Sequence, residues 1–141
     1  MFRRSLVLAC SALMLAGPAF ASTVTYKATL SSASEVPPGN STGKGEATVT
    51  LDTATRKIHY DVTFSGFSSK VVAAHIHGPA PVGKNSGILL PLGNDPKSPI
   101  KGSATLTAKA AKALESGMTY INIHSQNHPV GAIRGQLEKA K

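Results

Sequence analysis

Three histidines carry most of the chemistry this sequence offers. His75 and His77 stand two apart in Ala73-Ala74-His75-Ile76-His77, and His124 closes Tyr120-Ile121-Asn122-Ile123-His124. On a strand, residues two apart share a face. Both imidazoles of the pair therefore point one way, while Val72, Ala74 and Ile76 point the other. The same parity groups Tyr120, Asn122 and His124, and sets Arg134 and Gln136 opposite Ile133 and Leu137. The connection from Gln126 to Val130 is short enough for a hairpin, so His124 and Arg134 belong to one face of neighbouring strands. Neutral imidazole nitrogens suit borderline divalent metals, and three of them leave a coordination position open for zinc or Cu(II). His128 is near enough to His124 to be a fourth ligand or a supporting group. The rival reading of these residues is a metal-free polar network bracing the loops. His59, between Lys57 and Asp61 on a polar face, reads as solvated.

Other chemistry finds little support. Gly78 to Asn85 nearly spells a phosphate loop, but Asn85 stands where Ser or Thr must hold magnesium, and Pro79 and Pro81 remove N–H donors. There is no Gly-x-Ser-x-Gly elbow, and the 7 acidic residues are scattered. Asn40-Ser41-Thr42 is a glycosylation sequon, meaningful only where that machinery exists.

Strands must position the histidines, and strand signals run through most of the chain. Val24, Tyr26, Ala28 and Leu30 alternate with polar residues, as do Ala47, Val49 and Leu51, and Ile58, Tyr60, Val62 and Phe64. Period two with β-branched and aromatic residues predicts half-buried strands. Val71–His77, Gly87–Leu92, Ile100–Thr107, Met118–Ser125 and Ala132–Leu137 complete about eight. Pro37-Pro38-Gly39-Asn40, Gly66, Gly78-Pro79, Gly93-Asn94-Asp95-Pro96 and Asn127-His128-Pro129 supply the turns. One short helix fits Ala108 to Glu115, capped by Thr107 and stopped by Gly117. The expected fold is all-β: an antiparallel β-sandwich or small barrel of about eight strands with one short helix. Residues 45–50 resemble residues 102–107, and Ile-His followed by Pro-Val-Gly occurs twice, at 76–83 and 123–131. The second repeat suggests two equivalent strand-to-loop corners, as in the halves of a sandwich.

Composition sets the compartment. Of 141 residues, 41% are hydrophobic and 16% charged, enough to bury one core. Arg3-Arg4, the apolar run Leu6–Ala16 and Ala19-Phe20-Ala21 build a secretory leader, with cleavage expected after Ala21. Val7-Leu8-Ala9-Cys10 also resembles a lipobox, so lipidation at Cys10 is the competing processing. The run is too short to span a membrane. Cleavage removes the single Cys, leaving residues 22–141 without disulfide or thiolate site, in a periplasmic or secreted setting. The formal charge of +8 becomes +6 when Arg3 and Arg4 leave. The lysines are spaced singly with no aromatic platform, so nucleic acid is not an expected partner.

The chain resembles the CHRD domain, a module named from chordin. Ser34-Glu35-Val36-Pro37-Pro38, Ala74-His75-Ile76-His77-Gly78-Pro79-Ala80, Tyr120-Ile121-Asn122-Ile123-His124 and Gly131-Ala132-Ile133-Arg134-Gly135-Gln136-Leu137 carry the resemblance. It covers about residues 24 to 138. Ser34 stands where that pattern has Asn, and Ala132 where an acidic residue is common. The resemblance implies a secreted or periplasmic all-β domain with no settled enzymatic activity, so a binding module is expected over an enzyme, with an extracellular or periplasmic protein as one class of partner. It also adds Glu35, as a further metal ligand or as the ion-pair partner of Arg134. The candidate site is thus His75, His77, His124, Glu35 and His128 for copper or zinc, supported by Arg134 and Asn122.

Overall fold

A computed structural model describes residue 17 and residues 20–141. Most of the expected leader, Cys10 included, lies outside the described residues. The strands are β1 (Thr23–Ser31), β2 (Lys44–Asp52), β3 (Lys57–Ser65), β4 (Val71–His77), β5 (Ile88–Asn94), β6 (Ile100–Thr105), β7 (Tyr120–Ser125), β8 (His128–Gln136) and the two-residue β9 (Glu138–Lys139). All eight expected segments are strands, with ends shifted by a few residues. The helix α1 (Ala108–Glu115) lies where Thr107 and Gly117 bound it. The Thr107 hydroxyl accepts a hydrogen bond from the Ala110 N–H at 3.1 Å, satisfying one orphan donor of the first turn.

The strands form one antiparallel sheet in the order β5-β4-β7-β8-β1-β2-β3-β6, with β9 on β1. Its end strands β5 and β6 approach each other without pairing, so the sheet is a nearly closed barrel and not a two-sheet sandwich. Alternation explains what fills it. Leu30, Val49, Leu51, Ile58, Val62, Ala74, Ile76, Ile121, Ile123, Ile133 and Leu137 form the core, and Ala110, Ala111 and Leu114 of α1 join it. Pro91 interrupts the donor row of β5, as an end strand permits.

The opposite face of β4, β7 and β8 carries the polar set. In the register of β4 on β7, Ala73 faces His124, His75 faces Asn122 and His77 faces Tyr120, while Asn122 faces Arg134 across β7 and β8. Because β4 and β7 are antiparallel neighbours, His77 and His124 stand at opposite ends of their pairing. The two Ile-His corners are thus opposite ends of one strand pair in a single sheet, not corners of two sandwich halves. Register shifts between β4 and β5 fall at Ala74/His75 and Ile76/His77. The extra residues, Leu92 and Leu89, lie on β5, while β4 keeps regular register on β7 from Ala73 to His77.

Candidate metal centre

The three histidines converge. Each of His75, His77 and His124 offers one nitrogen, and the three lie within 4.8 Å of one another. The rings of His75 and His124 sit with centroids 4.9 Å apart, and His75 Nδ1 is 3.1 Å from His124 Nε2. Nitrogens on a metal at about 2.0–2.1 Å are about 3.3 Å apart in a tetrahedron. The trio therefore needs only small ring rotations to share one ion.

Backbone carbonyls orient two of the rings. His77 Nδ1 lies 3.0 Å from the Ser86 carbonyl oxygen, and His124 Nδ1 lies 3.1 Å from that of Pro129. Each Nδ1 must then carry the proton it donates, which leaves each Nε2 unprotonated, that of His124 accepting from His75 Nδ1. His77 Nε2 is buried and has no hydrogen-bond partner among the described residues. A carbonyl behind a lone-pair nitrogen is how proteins hold imidazole ligands. Burial is the main cause holding all three imidazoles below their ordinary value of 6.5. The neighbouring histidines add to this at His75, while the Ser86 and Pro129 carbonyls oppose it at His77 and His124. Neutral rings are the ligand-competent form.

A strap from Gly78 to Gly87 covers His77, which is 9% exposed, while His75 and His124 are half-buried. The Gly78 N–H closes the strap on the Gly87 carbonyl at 3.1 Å, and a Cβ at Gly78 would meet the Met118 oxygen at 2.7 Å. Arg134, 2% exposed, donates to the Lys84 carbonyl at 2.7 Å, the Pro81 carbonyl at 3.5 Å and Asn85 Oδ1 at 3.0 Å. Its guanidinium carbon stands 3.5 Å from the Tyr120 ring centroid. His77 also lies parallel to Tyr120, centroids 5.0 Å apart. The Tyr120 hydroxyl accepts from the Ser86 N–H at 3.0 Å and donates to the Ser86 carbonyl at 3.1 Å. Tyr120 thereby holds the very carbonyl that orients His77, and Arg134 holds the strap that carries it.

The family model of the CHRD domain matches residues 26–137. This chain belongs to the CHRD domain family. The matched span contains all three histidines, Glu35, Asn122 and Arg134. No curated protein and no solved structure matches the chain.

The remaining candidates of this CHRD domain lie beside the histidine trio. Glu35 accepts from Asn122 Nδ2, which also donates to the Ile133 carbonyl at 3.0 Å. Its carboxyl packs on Gly131, where a Cβ would meet Glu35 Oε2 at 2.7 Å. Burial pushes the Glu35 carboxyl up, against the pull of the Asn122 hydrogen bond and the more distant charge of Arg134. Among the described residues the ion pairs are Lys70–Asp95 and Lys101–Asp61, so Glu35 is not in ion-pair contact with Arg134. His128 turns away, its Nε2 2.9 Å from Asn40 Oδ1 and its Nδ1 3.4 Å from Ser125 Oγ. His59 is exposed on β3, as its polar neighbours imply. A cavity of about 900 Å³ lies next to this network, lined by Glu35, Val82, Arg134 and Gln136 but by none of the histidines. Sequence reasoning missed Ser86, Asn85 and Pro129, which act mostly through backbone oxygens and leave no residue-type signal. Tyr120 shares the face parity of Asn122 and His124, which is the signal that could have found it.

The lowered imidazoles make metal-free stability pH-dependent. A histidine whose folded pKa lies below its unfolded one contributes stability that is present above the unfolded value and lost as pH falls through the folded one. Metal-free protein is therefore expected to lose stability as pH drops below 6.5. Glu35, raised from 4.5, acts with the opposite sign: its contribution is present below that value and lost as pH rises through the folded one. Urea midpoints at stepped pH, compared with a variant carrying alanine at 75, 77 and 124, read the histidine part. Equal slopes below pH 6.5 in the two proteins would defeat this expectation.

Proposed function

We propose that this CHRD domain is an exported binding module that holds one divalent ion, copper or zinc, on His75, His77 and His124. The observation that carries the reading is a group of three imidazoles with ligand nitrogens within 4.8 Å of one another, in which the buried Nε2 of His77 has no hydrogen-bond partner among the described residues. Three nitrogen donors and no thiolate suit Cu(II) or Zn²⁺. In this reading neutral His75 moves its single proton from Nδ1 to Nε2, which would free its Nδ1 and His124 Nε2 for the ion, while His124 keeps its proton on Nδ1 against the Pro129 carbonyl. Glu35 acts one step out, through Asn122, and His128 braces the β7–β8 turn against Asn40. Export follows from the leader at residues 1–21 with cleavage after Ala21, which sends residues 22–141 to the periplasm or outside the cell.

Elemental analysis of untagged mature protein tests the reading. About one equivalent of copper or zinc is expected in the parent, and none in the triple alanine variant. A folded parent with no metal, and no uptake on titration with Cu²⁺ or Zn²⁺, overturns it in favour of a metal-free polar network bracing the loops.

A further inference from the structure

The charges around the trio are unevenly distributed. All three donor side chains are neutral imidazoles, so a bound divalent ion would keep its full double charge. Ala132, on the strand face that Arg134 shares, is fully buried and offers only a methyl group. Arg134 is buried as well, and among the described residues its acceptors are two carbonyls and an amide oxygen, all neutral. Among the described residues no carboxylate lies within ion-pairing distance of it. Its guanidinium and the His77 ring both lie against the Tyr120 ring. The carboxylate on this side of the sheet is Glu35, held on Asn122 and outside the histidine group. A divalent ion, a buried guanidinium and one carboxylate leave a net double positive charge. His75 and His124 are only half-buried, so solvent reaches the histidine group from their side.

We propose that the loaded site takes a small inorganic anion as its exogenous ligand, with Arg134 supplying the second positive charge that favours it and Glu35 opposing it. The proposal rests on the three-histidine metal reading. Its physical core is Coulombic: a unit charge about 10 Å from a ligand in partly solvated protein changes affinity by about threefold to tenfold. The charge relations also predict opposite signs for two neutralising substitutions. A purely structural role for either residue would not give that pattern.

The test uses Cu(II)-loaded full-length mature protein titrated with azide, followed by the azide-to-copper charge-transfer absorption. Imidazole, a neutral ligand, is titrated in parallel. In the parent, azide is expected to saturate one site. Arg134→Gln is expected to weaken azide about threefold to tenfold more than it weakens imidazole. Glu35→Gln, which keeps an oxygen for Asn122, is expected to tighten azide by a similar factor. If Arg134→Gln fails to fold, Glu35→Gln alone decides. Copper bound without an azide band, or azide and imidazole affected alike by the substitutions, overturns the anion inference and leaves the metal site standing. A parent that binds no copper overturns both.

Discussion

His77→Ala is expected to weaken copper or zinc binding by more than about a hundredfold, because losing even a supporting partner of a metal ligand costs about ten- to a hundredfold. His77 is the most buried of the trio, and its Nε2 has no hydrogen-bond partner among the described residues. The substitution is also expected to cost about 1–2 kcal/mol of metal-free stability. Strand parity alone puts His77 on a face away from the core and implies almost no such cost. The strap changes that, since the ring is stacked on Tyr120 and bonded to the Ser86 carbonyl. Competition titration with a metal chelator and urea denaturation of the metal-free protein read the two effects separately. His59→Ala, exposed on β3, serves as the control and should move neither. Parent-like metal affinity in His77→Ala would remove this residue from the site.

The largest loss of stability is expected one residue away from a ligand. Ile123→Ala should cost about 3–4 kcal/mol, the sum of lost transfer energy and the cavity left behind. Ile123 is fully buried and faces Ala74 on β4 and Ile133 on β8, so the void would open in the middle of the barrel. His124, its neighbour, points to the other face. Its replacement by alanine should abolish most metal binding at a much smaller cost in folding. The two variants therefore separate core from site along six residues of one strand. The checks are urea unfolding for stability and metal titration under conditions where both variants are folded. If Ile123→Ala abolished metal binding in folded protein while sparing stability, the assignment of faces on β7 would be wrong.

Much of this architecture is legible in the residues because strand parity is a local property. Alternation at 24–30, 47–51 and 58–64 marks inward-facing side chains without any knowledge of neighbours, and Thr107 and Gly117 mark a helix by capping chemistry within one turn. For the same reason the shared face of His75 and His77, and that of Asn122 and His124, can be read from spacing. The family follows from four short motifs along the chain.

The rest depends on contacts between residues far apart. Whether the sheet closes as a barrel or folds into a sandwich turns on how β5 and β6 meet, and both patterns satisfy the same alternation. His77 is buried because a strap held by Arg134, some fifty residues later, lies over it. Glu35 reaches Asn122 across 87 residues and stops beside the trio without entering it. His128 is adjacent to the site in sequence, but Asn40 from another loop takes its Nε2. The imidazole tautomers are decided last of all, by the Ser86 and Pro129 carbonyls. The sequence by itself determined the strands, the helix, the family and which histidines share a face, since these follow from side-chain parity and local capping. Only the tertiary structure decided which nitrogens face one another, because long-range packing and backbone oxygens carry no signature in residue type.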